Sequence, residues 1–454
     1  MKAARVAFVA LMILSIPGIA AAEMEVLGYL ENQMRARIAY VEEQDDIPTD
    51  LMMADTWFNL KFKAAGYQDL ARMNVDLDLR HFGLEREENI EAQLREAWIG
   101  LYVNWFSFEI GKKIFSWGMA DEMRPTDLLN PQDLRWFYTY DLAQRKIGVY
   151  SASVGFSFGN FRLTGVVLPL FRPTILPGSD ENWTPWKLQL FYDFENNFGQ
   201  FVDYDKQCYP DANLQNVGGA AKFSGVVGPV DFELSAFDGY DPLVTFDINI
   251  DDDFNNMING GKPVSIREVY QRYNAFGGAL SAAVNAFTLR AEGAYYTDRW
   301  YMYEFDEDLV NPPNLLVAFE SLEDVAGQEF RARKPSFNAV GGFDYRYSNL
   351  IYTNLQYFHM QILDYDEILI DNEIENGITG KLEFSFLDET LKVAVDGAFN
   401  VTHEDWFAKP YINYLADDVL SLQLGAVFFG GDYETNFGEF DENDYVFTKV
   451  RINF

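Results

Sequence analysis

The chain finishes on Tyr445-Val446-Phe447-Thr448-Lys449-Val450-Arg451-Ile452-Asn453-Phe454. This is an alternating strand with Lys449 and Arg451 in its water-facing lane and an aromatic last residue. Such an ending suits the closing strand of a membrane barrel, stopping at the periplasmic interface. The opposite end agrees. Lys2 and Arg5 precede the apolar run Val6 to Ile16, Pro17-Gly18 breaks it, and Ala20-Ala21-Ala22 offers a cleavage site before Glu23, so residues 1–22 read as a secretory signal. No Cys follows that site, which argues against a lipoprotein. No later stretch approaches the roughly 18 apolar residues of a membrane helix, so membrane insertion has to use strands.

Working inward, the same period of two recurs. Leu391, Val393, Val395 and Phe399 alternate with Lys392, Asp396, Asn400 and Thr402; Leu382, Phe384 and Phe386 alternate with Lys381, Glu383 and Ser385. Val75, Leu77 and Leu79 alternate with Asn74, Asp76, Asp78 and Arg80 in the same way. Strands are expected near 26–40, 55–66, 69–82, 92–103, 105–115, 145–158, 161–170, 214–226, 229–240, 266–284, 287–299, 335–347, 350–363, 377–387, 390–403, 406–415, 419–430 and 444–454. Tight turns such as Gly159-Asn160, Asn285-Ala286 and Asp388-Glu389 alternate with long polar connections, Glu404-Asp405 being the short exception. This parity predicts an all-β, transmembrane antiparallel β-barrel over residues 23–454, with both termini periplasmic. About 18 strands are expected, and roughly 16 to 20 fit within boundary error, partly because Trp186 to Phe194 is able to add a hairpin. The 16% aromatic content and 33 Gly suit strands, turns and interface girdles. Cys208 stands alone in a loop and supplies no disulfide framework.

The formal charge of -35 becomes -37 without Lys2 and Arg5. The expected external segments hold 47 acidic and 10 basic residues, whereas wall and turns hold 23 of each. The acid excess is therefore external, which favours cations at the mouth and disfavours nucleic acid. Acidic runs such as Asp251-Asp252-Asp253 make surface Ca or Mg binding an expectation, although no loop has a full EF-hand spacing. No other cofactor is implied. Inside, the expected lumen lane is Asp76, Asp78, Arg80, Glu109, Lys113, Arg290, Glu292, Lys381, Glu383, Lys392, Asp396, Lys449 and Arg451. Cross-strand pairing of opposite charges accounts for most of these, and a water-filled lumen is needed to tolerate them.

One connection stands apart. Gly111-Lys112-Lys113-Ile114-Phe115-Ser116-Trp117-Gly118-Met119-Ala120-Asp121 continues into Arg124-Pro125-Thr126-Asp127-Leu128-Leu129-Asn130-Pro131-Gln132-Asp133. Its prolines restrict the backbone, and Asn130 is placed to cap a short helix with Pro131 at its first position and Asp133 in its first turn. Segment 116–144, which also carries Leu134, Trp136, Phe137, Tyr138 and Tyr140, is too apolar to stay in water. It is expected to fold into the lumen as a constriction or across the mouth as a lid, with Trp117, Asp121, Arg124, Asp127, Asp133, Arg135 and Trp136 as candidate solute contacts. Over residues 105–178 the chain resembles a family of Gram-negative outer-membrane barrels that carry a GxxxxxWGxxD strand end followed by PTDxxNPxD, distantly related to alginate-export-type barrels. The resemblance implies a porin or transporter. A lumen without excess arginine argues against export of an acidic polysaccharide.

Rim catalysis would have to use His81, His359 and His403, but each shares the lane of apolar neighbours and so faces lipid or headgroups, which argues against an enzyme. The expected function is passive uptake of small polar or cationic solutes, sugars among them. A carrier for hydrophobic molecules and a surface adhesin are the alternatives. Expected partners are outer-membrane lipid and lipopolysaccharide, the barrel-assembly machinery through the C-terminal strand, the solute, and two further copies in a homotrimer.

Overall fold

Alternation of apolar and polar side chains lets a strand face hydrocarbon on one side and water on the other, but only a closed sheet leaves no backbone edge unpaired in lipid. The chain meets that requirement. A computed structural model describes residues 23–38, 51–66, 69–83, 90–135, 141–179, 181–198, 202–206, 208–250, 262, 264–304 and 327–454. The signal segment 1–22, Trp136, Phe137, Tyr138, Tyr140 and Asp251, Asp252 and Asp253 lie outside the described residues.

Eighteen strands form the wall: β1 (Glu23–Arg37), β2 (Leu51–Gly66), β3 (Ala71–Phe82), β4 (Ile90–Val103), β5 (Phe106–Lys113), β6 (Val149–Phe158), β7 (Phe161–Leu168), β9 (Gly218–Val227), β10 (Val230–Tyr240), β13 (Arg272–Val284), β14 (Phe287–Met302), β15 (Arg331–Tyr347), β16 (Ile351–Ile362), β17 (Ile374–Phe386), β18 (Leu391–Asn400), β19 (Asp405–Leu415), β20 (Leu420–Gly430) and β21 (Tyr445–Asn453). Each pairs antiparallel with its neighbours in chain order, and β1 pairs with β21 from Tyr29↔Asn453 to Arg37↔Tyr445. The expected strand number and connection parity are both found. Short turns gather at one end of the barrel and long loops at the other, and both ends of the wall lie at the turn end.

The closing seam explains the terminal aromatic. Gly28 and Phe454 exchange backbone hydrogen bonds of 2.8 and 3.0 Å. The Phe454 ring stacks on Phe58 at 5.9 Å and lies so close over Gly28 that a Cβ there would come within 2.7 Å of it. Further aromatic contacts run around the turn end, among them Trp105 with Phe156, Phe161 with Phe223 and Phe287 with Tyr345. Between the two ends, residues such as Leu101, Leu234, Phe276, Leu289, Leu355 and Leu424 leave the outer wall bare and apolar. That surface is the one hydrocarbon covers.

The loop end departs from expectation in two places. Trp186 to Phe194 adds no hairpin; it lies in helix α2 (Trp186–Phe198), which follows the four-residue α1 (Leu142–Arg145). The reason is its period: Leu188 and Phe191 recur at helical spacing and bury against the loop sheet, with Phe191 stacked 3.9 Å from Phe246. The long run expected at 266–284 is divided. Its first part is β12 (Val264–Val269), which joins β8 (Val202–Asp205) and β11 (Thr245–Ile250) in a three-stranded sheet, and the chain enters the wall only at Arg272. A hydrophobic cluster of Leu188, Val202, Phe246, Ile250, Val264 and Ile266 holds this sheet to α2.

The β7–β8 connection also crosses to the far wall. Trp183 packs between Phe429, Phe440 and Tyr445, and Arg37 and Asn443 both hydrogen-bond Asn182. Aromatic side chains consequently fill the lumen in this corner.

The outward and inward lanes are expected to differ sharply in tolerance. Phe276→Arg, on the bare outer face near the middle of β13, should lower stability in a bilayer by about 2–4 kcal/mol, and Ser281→Arg, on the inner face, by less than about 1 kcal/mol. Reversible denaturant unfolding from liposomes measures both.

Candidate functional site

The lumen wall is a network of cross-strand ion pairs. Lys61 faces its register partner Asp76 at 2.9 Å, Lys381 faces Asp396 at 3.8 Å and Arg451 meets Glu31 at 2.5 Å. Lys392 reaches Glu383 at 3.1 Å, Lys381 reaches it at 3.3 Å, and Lys449 lies 3.8 Å from Glu31. Asp78 accepts from Asn59 at 2.6 Å and stands 3.6 Å from both Arg80 and Arg95. Glu109 is held by Lys113 and accepts from Ser153. All the expected lumen residues therefore point inward. Glu31 and Arg95 join them. Arg95 does so through a β-bulge, where the β3–β4 register shifts between Asp76 and Leu77 and leaves it as the extra residue.

Residues 114–135 and 141–148, between β5 and β6, fold inward against the lumen wall. They are clasped to the far wall by one carboxylate. Glu292 of β14 is 4% exposed; its Oε2 accepts from the backbone N–H of Met119 (2.7 Å) and Ala120 (3.0 Å), and its Oε1 from the N–H and hydroxyl of Thr126 (2.8 Å each). Gly118 makes this approach possible: its φ is +85°, and a Cβ would fall 2.5 Å from the Glu292 carboxylate. Next to it, Asp121 bonds Arg290 (3.0 Å), Asn354 (2.6 Å) and Gln356 (3.0 Å), and Arg290 also meets Asp344 at 2.6 Å. Tyr296 donates its hydroxyl to the Pro125 carbonyl at 2.8 Å.

The near side of the loop is fixed as firmly. Lys146 pairs with buried Asp127 and donates to the Phe115 carbonyl at 2.9 Å. Burial pushes the Asp127 carboxyl up, and Lys146 partly offsets this. Asp133 pairs with Arg135 at 2.5 Å, and Arg135 reaches Glu91 at 3.3 Å. Burial opposes the Arg135 charge, but these two acids outweigh it and raise its pKa. Trp117 is buried, with the Lys222 ammonium 5.3 Å from its ring. Arg124 bonds the Asp121 carbonyl and the Ser116 hydroxyl.

The expected helix at Asn130-Pro131 is absent from this segment. Asn130 instead ties three strands of backbone together: it accepts from Phe115 N–H (2.6 Å) and donates to the carbonyls of Lys113 (3.2 Å) and Ile147 (2.8 Å). The helix comes later, as α1, with Asp141 at its N-cap. Pairing of Gln132 with Lys146 and of Asp133 with Ile175 keeps residues 131–135 extended.

On the loop's other side Glu122 lies within electrostatic reach of Lys409 of β19, and Asp141 within that of Lys409 and of Lys449 and Arg451 of β21. Burial alone would raise the Asp141 carboxyl, but Lys409, Lys449, Arg451 and Arg145 together hold it below the usual range. Glu122 is solvent-accessible inside the lumen yet enclosed by the wall, and that enclosure pushes its carboxyl up. Among the described residues no group of His, Cys, Asp and Glu is arranged to hold a metal. His81 lies exposed beside Leu79 on the outer face; His359 bonds Asn376 and His403 contacts Asn372.

A closed 18-stranded antiparallel wall with an inward-folded loop is the architecture of an outer-membrane β-barrel. Solved structures of that type are similar over nearly the whole chain. OpdK of Pseudomonas aeruginosa, solved with vanillate, matches with a TM-score of 0.51 and 10% identity over 95% of this chain and 98% of its own. A BenF-like porin from Pseudomonas fluorescens Pf-5 gives 0.52 and 9% over 95% and 98%, and OccK2 of P. aeruginosa, in complex with glucuronate, gives 0.50 and 10% over 95% and 97%. At such identity the likeness is one of fold. No family model and no curated protein matches the sequence.

Removing the clasp should release the loop. Glu292→Gln puts an amide group where two donors converge, and Gly118→Ala forces a Cβ into the carboxylate. Each should lower stability by about 1–3 kcal/mol and broaden single-channel current noise. Wild-type noise in either variant would contradict the clasp.

The loop end has its own titrating contact. Glu439, in the 3₁₀ turn Gly438–Asn443, accepts from Trp186 N–H at 2.5 Å at the start of α2, beside Lys187 and Asp405. Burial pushes its carboxyl up from 4.5 to about 8. A raised carboxyl binds its proton more tightly when docked, so the contact is strongest below about pH 4.5 and weakens as pH rises through about 8. Hydrogen exchange of α2 is expected to accelerate, beyond the intrinsic base catalysis, between about pH 4.5 and 8, and Glu439→Gln should abolish that excess.

Proposed function

We propose that this barrel is an outer-membrane channel through which small hydrophilic solutes diffuse passively. The observation that carries the reading is a closed wall whose inner face is lined by opposed charges, among them Asp141 of the loop within electrostatic reach of Lys409, Lys449 and Arg451. Opposed charges across a narrow opening order water and orient dipolar solutes, and they pass hydrated molecules more readily than apolar ones. The likeness in fold to channels solved with vanillate and glucuronate supports small organic solutes.

In this reading the turn end faces the periplasm and the acidic loops face outward, where they gather cations and are screened by Ca or Mg. Sugars and cationic solutes are the favoured cargo. The chain is not an enzyme, because its histidines sit on the outer face or rim, away from the passage. Its loop signature is similar to that of barrels that carry the same spaced Gly, Trp, Pro and Asp. The strand ending on Phe454 is the handle for barrel assembly, and association in threes fits the bare outer wall.

Purified barrel in a planar bilayer should give stable current steps. In 0.1 M KCl the current should favour K⁺ over Cl⁻, with the preference fading at 1 M as the Debye length falls from about 10 to 3 Å. Asp141→Asn should move selectivity toward Cl⁻. An absence of current steps from folded barrel would refute the channel reading.

A further inference from the structure

The lumen on the turn side of the constriction loop contains a site that a simple passage does not need. Two adjoining cavities, of about 590 and about 260 Å³, lie between the Gly159-Asn160 turn and the loop residues Met119 and Trp117. Both are lined by Arg162 and Ser224. The neighbouring wall cations Lys113, Lys222 and Arg290 each have a carboxylate partner. Arg162 has none within salt-bridge distance among the described residues. Its Nη1 donates to Ser157 (3.0 Å) and its Nη2 to Ser107 (2.6 Å).

This placement is built rather than incidental. Arg162 packs against Gly155, where a Cβ would fall 2.2 Å from its Nη2 and 2.6 Å from the Ser107 hydroxyl. Any larger residue at 155 would displace the guanidinium. Of five guanidinium N–H donors two are used, leaving three, and each serine keeps its own O–H after accepting from Arg162. Ser157 lines the larger cavity, Ser107 the smaller, and the guanidinium they hold borders both. Of the acids lining them, Glu109 and Glu233 are engaged by Lys113 and Lys222, and Asp231 lines the larger cavity two strands away from Arg162. Ser224 and Thr164 supply further hydroxyls.

We propose that Arg162, with Ser107 and Ser157, forms an oxyanion subsite that holds the carboxylate of a small polyhydroxylated acid on its way through the lumen. A planar carboxylate takes two parallel N–H bonds from a guanidinium, and its hydroxyls exchange water for the serine-rich wall. The acidic loops do not forbid such a monoanion, because their field is screened beyond about 8 Å at physiological ionic strength. The proposal rests on the channel reading only for the ligand's route.

Gluconate and the neutral polyol sorbitol are the probes. In planar bilayers, gluconate added at the turn side should interrupt the current with a saturable frequency, whereas sorbitol should not. Equilibrium binding of radiolabelled gluconate to detergent-solubilised barrel should show the same saturation. Arg162→Gln should weaken both by about tenfold, and Arg162→Lys should restore part of the effect. Folding of each variant is checked by its heat-dependent mobility on gels. Equal gluconate affinity in wild type and Arg162→Gln, or no saturable binding to wild type, overturns the subsite. Arg162-dependent binding in a barrel that passes no current supports the subsite and refutes the channel reading instead.

Discussion

A single buried carboxylate decides what the inside of this barrel is. Glu292 offers four lone-pair sites, and the loop fills them with three backbone N–H groups and one hydroxyl. Burying a carboxylate without such partners would be prohibitively costly, and leaving those N–H groups unpaired against the wall would cost about 1–3 kcal/mol each. Each side is therefore stable only with the other in place. The clasp fixes the connection against β14 and leaves Asp141, on its other side, within electrostatic reach of the cations of β19 and β21.

The clasp in turn relies on the wall. Hydrocarbon outside forbids an open edge, so the sheet must close, and closure brings β14 and β16 opposite β5 and β6. The ion pairs that line the inner face are then not ornaments of a polar channel. Lys61 with Asp76 and Arg451 with Glu31 lie at register positions and resist slippage of one strand past the next, which would flip every lipid-facing residue inward. Where such pairs give way to the aromatic cluster around Trp183, the lumen is filled, and the loops have become part of the core.

Much of this was legible before any coordinates. Period-two alternation and the parity of short and long connections yield the strand number, the lanes and the inward direction of Asp76, Glu292 and Lys381, because both signals are local in sequence. The folded state of the signature loop is legible for a local reason too, its prolines and aromatics. What escaped is non-local. Asn130 has the local chemistry of a helix cap, yet its partners Phe115 and Ile147 offer unpaired backbone groups that outcompete a helix start. Trp186 to Phe198 reads as apolar whether strand or helix, and only the neighbouring loop sheet selects the helix. The role of Glu292 depends on partners 166 to 173 residues earlier, and no pattern in the chain announces that contact. Arg95 was missed because a bulge shifts it out of the lane that simple alternation assigns.

Hydrogen exchange of the barrel reconstituted in liposomes, followed through the peptide covering residues 116–130, tests the central claim most directly. With Glu292 and Asn130 holding that segment inside the wall, its amides are expected to exchange as slowly as those of the barrel strands. Exchange within seconds, at the rate of an open loop while the strands stay protected, would contradict the account.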